Sequence, residues 1–465
     1  MLKKCKMNKQ KVIKAIETGN IDAGDIAFPN FIDDIILKMS QMGLTDTFDN
    51  VLDDKRCDKN STIPLNIIVT LAATAKMKIM TSLTDIPFAI TDSDTLAQLG
   101  WNIYDTDRGL ENGLISDGSI RGMLNHYNSQ EFINFYNDYS KQAREELNHT
   151  SDIHILDCSK IEVNLDNENY ENSSVINDDG DLKRGYKIAS LRGLLDCSGV
   201  MEQIEIGTMK THDLTLSKEI LLNSPALKSG DILIEDRGFI SRKMLNYLKT
   251  ERKVDTYIPV KKNMNIYKEA IKLALENEKD ISNWYNHPNK KRRSQVIATV
   301  KNIGMFWQSD NPEEDVELNA CVVYDIKEDE YFVFVSTDLT ITGRQIVKTY
   351  ELRPEIEEDF RQLKDFWKIE DFKSTKFKHI VFHIVMVLIG YLFYQFFKNT
   401  EEGSEYANKT LPVIIKKYVP KEKPKKVIIY SGKYFGIFGF SEFLEIHASC
   451  SKKVRKKLKK VLDMI

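Results

Sequence analysis

Residues Thr349–Phe366 read TYELRPEIEEDFRQLKDF. At 100° per residue, with Tyr350 at zero, Arg353, Glu357 and Lys364 fall within an arc of about 60° that includes Tyr350. A phenol, two cations and one acid therefore share a helix face, while Glu351, Glu355, Glu358 and Asp359 point elsewhere. Pro354 lacks an N–H and is best tolerated in a first helical turn, so the helix begins or bends there. The arithmetic is firm for Glu357 and Lys364, which both follow the proline, and provisional for Tyr350 and Arg353. Taken alone, the pattern also describes a solvated helix with intrahelical ion pairs. Helix is expected from about Gly343 to Trp367.

Two further acids stand out upstream. Asp152–Cys158 (DIHILDC) and Asp231–Asp236 (DILIED) are short apolar runs that read as strands with Asp157 and Asp236 at their ends. A rigid sheet can present such a carboxylate to a cleft, and burying it costs desolvation energy unless it is paired or binds a cation. Either acid by itself could equally be a turn or cap residue. Asp236 is followed by Arg237-Gly238-Phe239, a tight turn with a guanidinium beside the acid. Between the two lie strand-like runs Tyr186–Asp196 and Val200–Thr208, joined at Cys197-Ser198-Gly199, and then His212-Asp213.

The remaining chain frames these acids. Helical patterns fill much of 30–150, with Phe31–Met42 and Pro64–Met80 the strongest. Residues 263–324 combine a helix near Ile266–Glu276, Trp284, a basic knot Lys290-Lys291-Arg292-Arg293, Trp307 and strand-like runs. Residues 380–397 form an uncharged run, read as a buried core helix rather than a membrane span. The six cysteines are scattered and no Cys/His cluster appears, so a structural zinc site and a disulfide framework are not expected. Lys and Arg number 66 against 69 Asp and Glu, a net charge of −3 that at first argues against nucleic acid. The charge is uneven: residues 409–465 hold 15 cations and 4 acids, and Ser451–Leu462 is a basic helix candidate.

Tyr350, Arg353, Glu357 and Lys364 reproduce the spacing Y-x2-R-x3-E-x6-K, which resembles the signature of bacterial insertion-sequence transposases with a DDE triad. Asp157 in LDCSKIEV resembles the family's first aspartate and Asp236 in EDRGF its second. Tyr186-Lys187 and His212-Asp213 look like the intervening strands, so the resemblance covers about residues 150–400. It implies an α+β or α/β fold: an RNase H-like mixed-sheet core, interrupted by a β-rich insertion and preceded by a helical N-terminal domain. The expected division is a DNA-binding domain over 1–148, core over 149–262, insertion over 263–326, core again over 327–400 and a basic tail over 401–465.

The resemblance further implies cleavage of transposon ends and strand transfer into target DNA. Asp157, Asp236 and Glu357 would be the catalytic metal ligands for Mg²⁺ or Mn²⁺, with two ions expected. Tyr350, Arg353 and Lys364 would contact DNA, as would Arg237, Lys290, Lys291, Arg292 and Arg293, while Trp284 or Trp307 could stack on a displaced base or simply be packed. Expected partners are double-stranded DNA (terminal inverted repeats and target) and a second copy in the DNA complex, with no membrane. The expected setting is the cytoplasm and nucleoid of a prokaryote. A catalytically idle DNA-binding relative and a stand-alone RNase H-like nuclease are the competing readings.

Overall fold

The computed structural model describes residues 5–27, 30–56, 63–101, 115–194, 198–277, 284–303, 315–417 and 426–461. Cys57, Cys197 and Trp307 lie outside them. The chain divides into two compact units, Ser140–Gln362 and a second built from Met1–Tyr139 with Leu363–Ile465.

The unit Ser140–Gln362 is organised on one ten-stranded mixed sheet. From edge to edge its strands are Ser174–Asp178, Asp181–Leu194, Ile153–Val163, Ile232–Glu235, Asp255–Pro259, Glu330–Ser336, Asn319–Asp325, Gln295–Val300 and Tyr285–Asn286. Gly199–Thr208 pairs with Asp181–Leu194 outside this order. Ile153–Val163 runs antiparallel to Asp181–Leu194 and parallel to Ile232–Glu235, which is itself parallel to Asp255–Pro259. This antiparallel-then-parallel arrangement is the RNase H-like core. The stretch 263–326 continues the same sheet: helix Asn265–Asn277 lies on it, and Gln295–Val300 and Asn319–Asp325 extend it beyond Glu330–Ser336. Leu156, Leu191, Leu233, Phe239, Ile258 and Val335 belong to its buried core.

The helix expected from Gly343 to Trp367 is broken at Pro354, where the sequence placed a start or a bend. One helix runs Gly343–Tyr350, opened by a capping box between Thr342 and Gln345. A turn follows, and a second helix runs Pro354–Asp365. The break falls where Pro354 has no N–H to continue the ladder and fits the first helical position instead.

In the other unit, helix Phe377–Lys398 is long and apolar enough to cross a membrane by composition, yet its apolar window is entirely buried inside the protein. It packs on Leu65–Met77 and Phe31–Gln41. Gly390 allows the close approach: a Cβ there would lie 2.9 Å from Met77 Cγ and 3.3 Å from the Ala73 carbonyl oxygen. Phe31–Gln41 begins with a capping box, the Asn30 side chain accepting from Ile32 and Asp33 N–H. The unit's four-stranded sheet has the order Lys6–Met7, Tyr434–Gly439, Lys426–Ser431, Ala23–Ala27. It joins the two ends of the chain.

Candidate active site

The parallel pairing of Ile153–Val163 with Ile232–Glu235 places the first two acids. Its register runs from Ile153 opposite Ile232 to Leu156 opposite Glu235 and ends there. The next residues are Asp157 and Asp236. Asp157 is therefore not at a strand end, as the apolar run implied, but the fifth residue of an eleven-residue strand. Cys158–Val163 keep pairing with Asp181–Leu194 on the other side after the parallel neighbour has stopped. Polar residues can continue this strand because only one neighbour remains to be matched.

Glu357 comes from the first turn of helix Pro354–Asp365, where a carboxylate is favoured by the helix dipole. Arg353 stands just before that helix and draws the three acids together. Its Nη2 donates to Asp157 Oδ2 at 2.8 Å and lies 3.8 Å from Asp236 Oδ2. Its Nη1 donates to Glu357. The Nε is buried with no hydrogen-bond partner. The Asp157 side chain is 12% exposed and that of Glu357 53%, so the cluster opens from the sheet toward solvent. Burial pushes the Asp157 carboxyl up and the Arg353 guanidinium pulls it back, leaving it at about 6. Asp236 and Glu357 add to the upward push. Tyr350 ends the preceding helix, tilted against Phe334 at 4.9 Å between ring centroids. Burial raises its phenol, and the charges of Asp236, Arg353, Asp157 and Glu357 all reach it. Four of the five residues thus meet by direct charge contact and the fifth lies within their field, although the helix arithmetic is interrupted at Pro354.

Among the described residues no group of three or more His, Cys, Asp or Glu is arranged as a metal cage. The three carboxylates converge on a guanidinium rather than on a common empty point. The donor set is nevertheless all hard oxygen, with three acids facing one cation, and that chemistry suits Mg²⁺ or Mn²⁺.

The surroundings hold residues that periodicity did not reveal. On the opposite side of the Glu357 helix, Arg192 from the sheet pairs with Asp359 and, at 3.0 Å, with Glu355. Gly199 makes room for it, since a Cβ there would lie 2.1 Å from the guanidinium. Beneath the first two acids, His154 Nδ1 is 2.6 Å from Glu202 Oε2 and its Nε2 is 3.1 Å from Asp231 Oδ2. Arg144 also bonds Glu202, at 2.8 Å. Burial pulls the His154 imidazole down, but its bonds to Asp231 and Glu202 outweigh this and hold it at about 9. Lys187 donates to Asp213 at 2.7 Å. A charged residue inside an apolar strand run, as in KIASLRGLL or DIHILDC, was the available signal; its partners, distant in sequence, were not visible.

The other expected DNA contacts are placed as follows. Lys364 shares the Glu357 helix, seven residues on, and lies 3.5 Å from Glu370. Lys290, Lys291, Arg292 and Arg293 are all exposed, and Arg292 reaches Glu351 in the turn that precedes Arg353, at 3.3 Å. Arg237 is exposed, its charge felt by Lys262. Trp284 is only 5% exposed, packed in the core with its ring edge toward Tyr331.

A search of curated proteins found no match. A family model described as the transposase DDE domain matches residues 153–393, more than half of the chain, spanning both strand acids, the Glu357 helix and most of the buried helix Phe377–Lys398. The chain belongs to the DDE-domain transposase family.

Proposed function

We propose that the protein cleaves the ends of its own mobile element and transfers the freed 3′ ends into target DNA, with Asp157, Asp236 and Glu357 as the catalytic carboxylates. The observation that carries this reading is the convergence of three acids, one within a strand, one just past the end of its parallel neighbour and one in a helix, on the single guanidinium of Arg353. Asp157, Asp236 and Glu357 would hold the divalent ions. Bound there, Mg²⁺ or Mn²⁺ would activate an attacking oxygen and stabilise the leaving one. The protein's own share is positional. The sheet fixes the two aspartates side by side and the helix start brings Glu357 to them. Arg353 balances their charge in the absence of metal and can pair bidentately with a phosphate.

Tyr350 would donate a hydrogen bond to a phosphate oxygen near the cut, and Lys364 and Arg237 would add charge. The exposed knot Lys290–Arg293 adjoins the turn that carries Arg353, as a backbone contact beside the acids would require. The five-part division read in the sequence is carried here as a division of labour, with the helical front reading the element's ends. Cutting two ends together calls for a second copy in the DNA complex.

The test uses the purified full chain, Mg²⁺ and a supercoiled plasmid bearing the element's own ends. Nicks are expected at the element boundary. Asp157→Asn, Asp236→Asn and Glu357→Gln should each abolish them while DNA is still bound. Full cutting by any one variant would remove that residue from the site.

A further inference from the structure

The two ends of the chain build one small module. Lys6–Met7 pairs in parallel with Tyr434–Gly439, and Ala23–Ala27 pairs antiparallel with Lys426–Ser431. Helix Lys9–Thr18 packs against Phe440–Ser449 and Lys452–Val461. Val12 and Ile16 share a buried cluster with Val427, Ile429, Phe438, Phe443 and Leu458.

Helix Lys452–Val461 (KKVRKKLKKV) holds no acid. Leu458 is fully buried and Val454 half-buried against that cluster, so the narrow apolar stripe is already used. Lys452, Lys453, Arg455, Lys456, Lys457 and Lys459 are exposed on the rest of its circumference. No ion pair involves any of these six among the described residues, and Glu442 on the neighbouring helix is taken by Lys9 at 2.8 Å. The Lys457 stem lies over Gly19, the left-handed cap that ends helix Lys9–Thr18, with its Cδ 3.2 Å from where a Cβ would be. The basic helix is thus seated by its apolar stripe and by the N-terminal helix, with its charge left outward.

We propose that this two-ended module is a clamp for the backbone of duplex DNA, gripping phosphates through the exposed face of helix Lys452–Val461. Six exposed cations with no ion pair among the described residues favour a dense polyanion. A basic amphipathic helix that lies on a membrane inserts its apolar face into the bilayer, whereas here that face is occupied by the module's own core. A helix of ten residues is about 15 Å long. Along one strand duplex DNA presents a phosphate every ~3.4 Å of axis, about four over that length, and about three of the cations are taken to reach them together. The proposal rests on the reading that the protein acts on DNA, but not on the choice of catalytic carboxylates.

The test is binding of the full chain to two fluorescent duplexes of equal length, one of random sequence and one from the element's end. Both are titrated in EDTA over a range of salt. The variant replaces Lys452, Lys453, Arg455, Lys456 and Lys459 with Gln and leaves Lys457 on its Gly19 seat. Three lost phosphate contacts should lower the slope of log K against log salt by about 2.7. Between 50 and 200 mM salt the wild type should then lose about 40-fold more affinity than the variant. A chain with Lys452, Lys453, Lys456 and Lys459 changed to Arg, beside the native Arg455, should bind as wild type, which separates lost charge from lost folding. A wild-type slope in the Gln variant overturns the proposal, as does a drop confined to the element-end duplex, or retention of the wild type by phosphatidylserine vesicles but not by DNA. Asp157→Asn is run alongside. Should it still cut, the catalytic assignment fails while the slope result stands.

Discussion

Replacing Arg192 with Met should release the helix that carries Glu357 without touching any of the three acids. The Arg192 side chain is 5% exposed and that of Asp359 8%, while Glu355 is 45% exposed. Loss of the exposed partner is worth about 0–1 kcal/mol. Leaving the Asp359 carboxylate buried without its cation costs about 3–5 kcal/mol. If that energy falls on the local opening of helix Pro354–Asp365, its amide protection should drop between about 10²-fold and a few thousandfold. Hydrogen exchange followed by mass spectrometry on peptides covering 354–362 reads this directly in the full chain. The double change Arg192→Met with Asp359→Leu should recover most of the protection, because an apolar pair can replace a buried ion pair. Gly199→Ala should mimic the single change, since its Cβ would displace the guanidinium. Protection within threefold of wild type in Arg192→Met, or a double variant no better than the single, would refute the idea that Arg192 holds this helix.

Other expectations follow from the same geometry. His154 is held at about 9, above its ordinary value, by Asp231 and Glu202. Its stabilising contribution is therefore complete below about pH 6.5 and lost as pH rises through about 9, a fall of up to about 3 kcal/mol. Urea unfolding across that range should show the decline in the wild type but not in His154→Gln; equal slopes would reject it. Gly390→Val should overpack helix Phe377–Lys398 against Met77, Ala73 and Trp367 and destabilise by about 1–3 kcal/mol. Thermal unfolding measures that loss, and an unchanged midpoint would mean the two helices can separate freely. The wild-type chain should also be monodisperse without detergent by size exclusion, as a buried rather than membrane-spanning helix requires.

What could be read in the sequence was local. DILIED and DIHILDC declare strands because apolar side chains cluster over a few residues, and an acid interrupting such a run is conspicuous. The position of Asp157 inside its strand was hidden because the end of pairing is decided by Ile232–Glu235, about 75 residues away. The face shared by Glu357 and Lys364 was legible since both follow Pro354 in one helix. Arg192, by contrast, was not singled out, because its partners Glu355 and Asp359 are brought in by tertiary folding. The same holds for the two-stranded contributions of each chain end to one sheet: Lys6–Met7 and Ala23–Ala27 are too short to announce themselves, and their partners lie about 400 residues away.

The near-zero net charge hides a separation of functions by sign. In the ten-stranded sheet and the helix against it, four buried or half-buried acids are each met by a specific cation: Asp157 by Arg353, Asp359 by Arg192, Asp213 by Lys187, Glu202 by Arg144. Such pairing fixes side chains in place but leaves little field to attract a polyanion. In the terminal module the opposite holds, for Lys452, Lys453, Arg455, Lys456, Lys457 and Lys459 have no ion-pair partner among the described residues. A surface that must capture DNA gains from unneutralised charge, whereas a site that must hold carboxylates in register gains from neutralised charge. The break at Pro354 links the two requirements within the candidate site. By ending one helix at Tyr350 and starting another, it leaves Arg353 in the turn, reaching the acids of the sheet and Glu357 at once. On the proposed function, a guanidinium that balances three carboxylates in this way would pair with a phosphate once divalent cations were held by those acids.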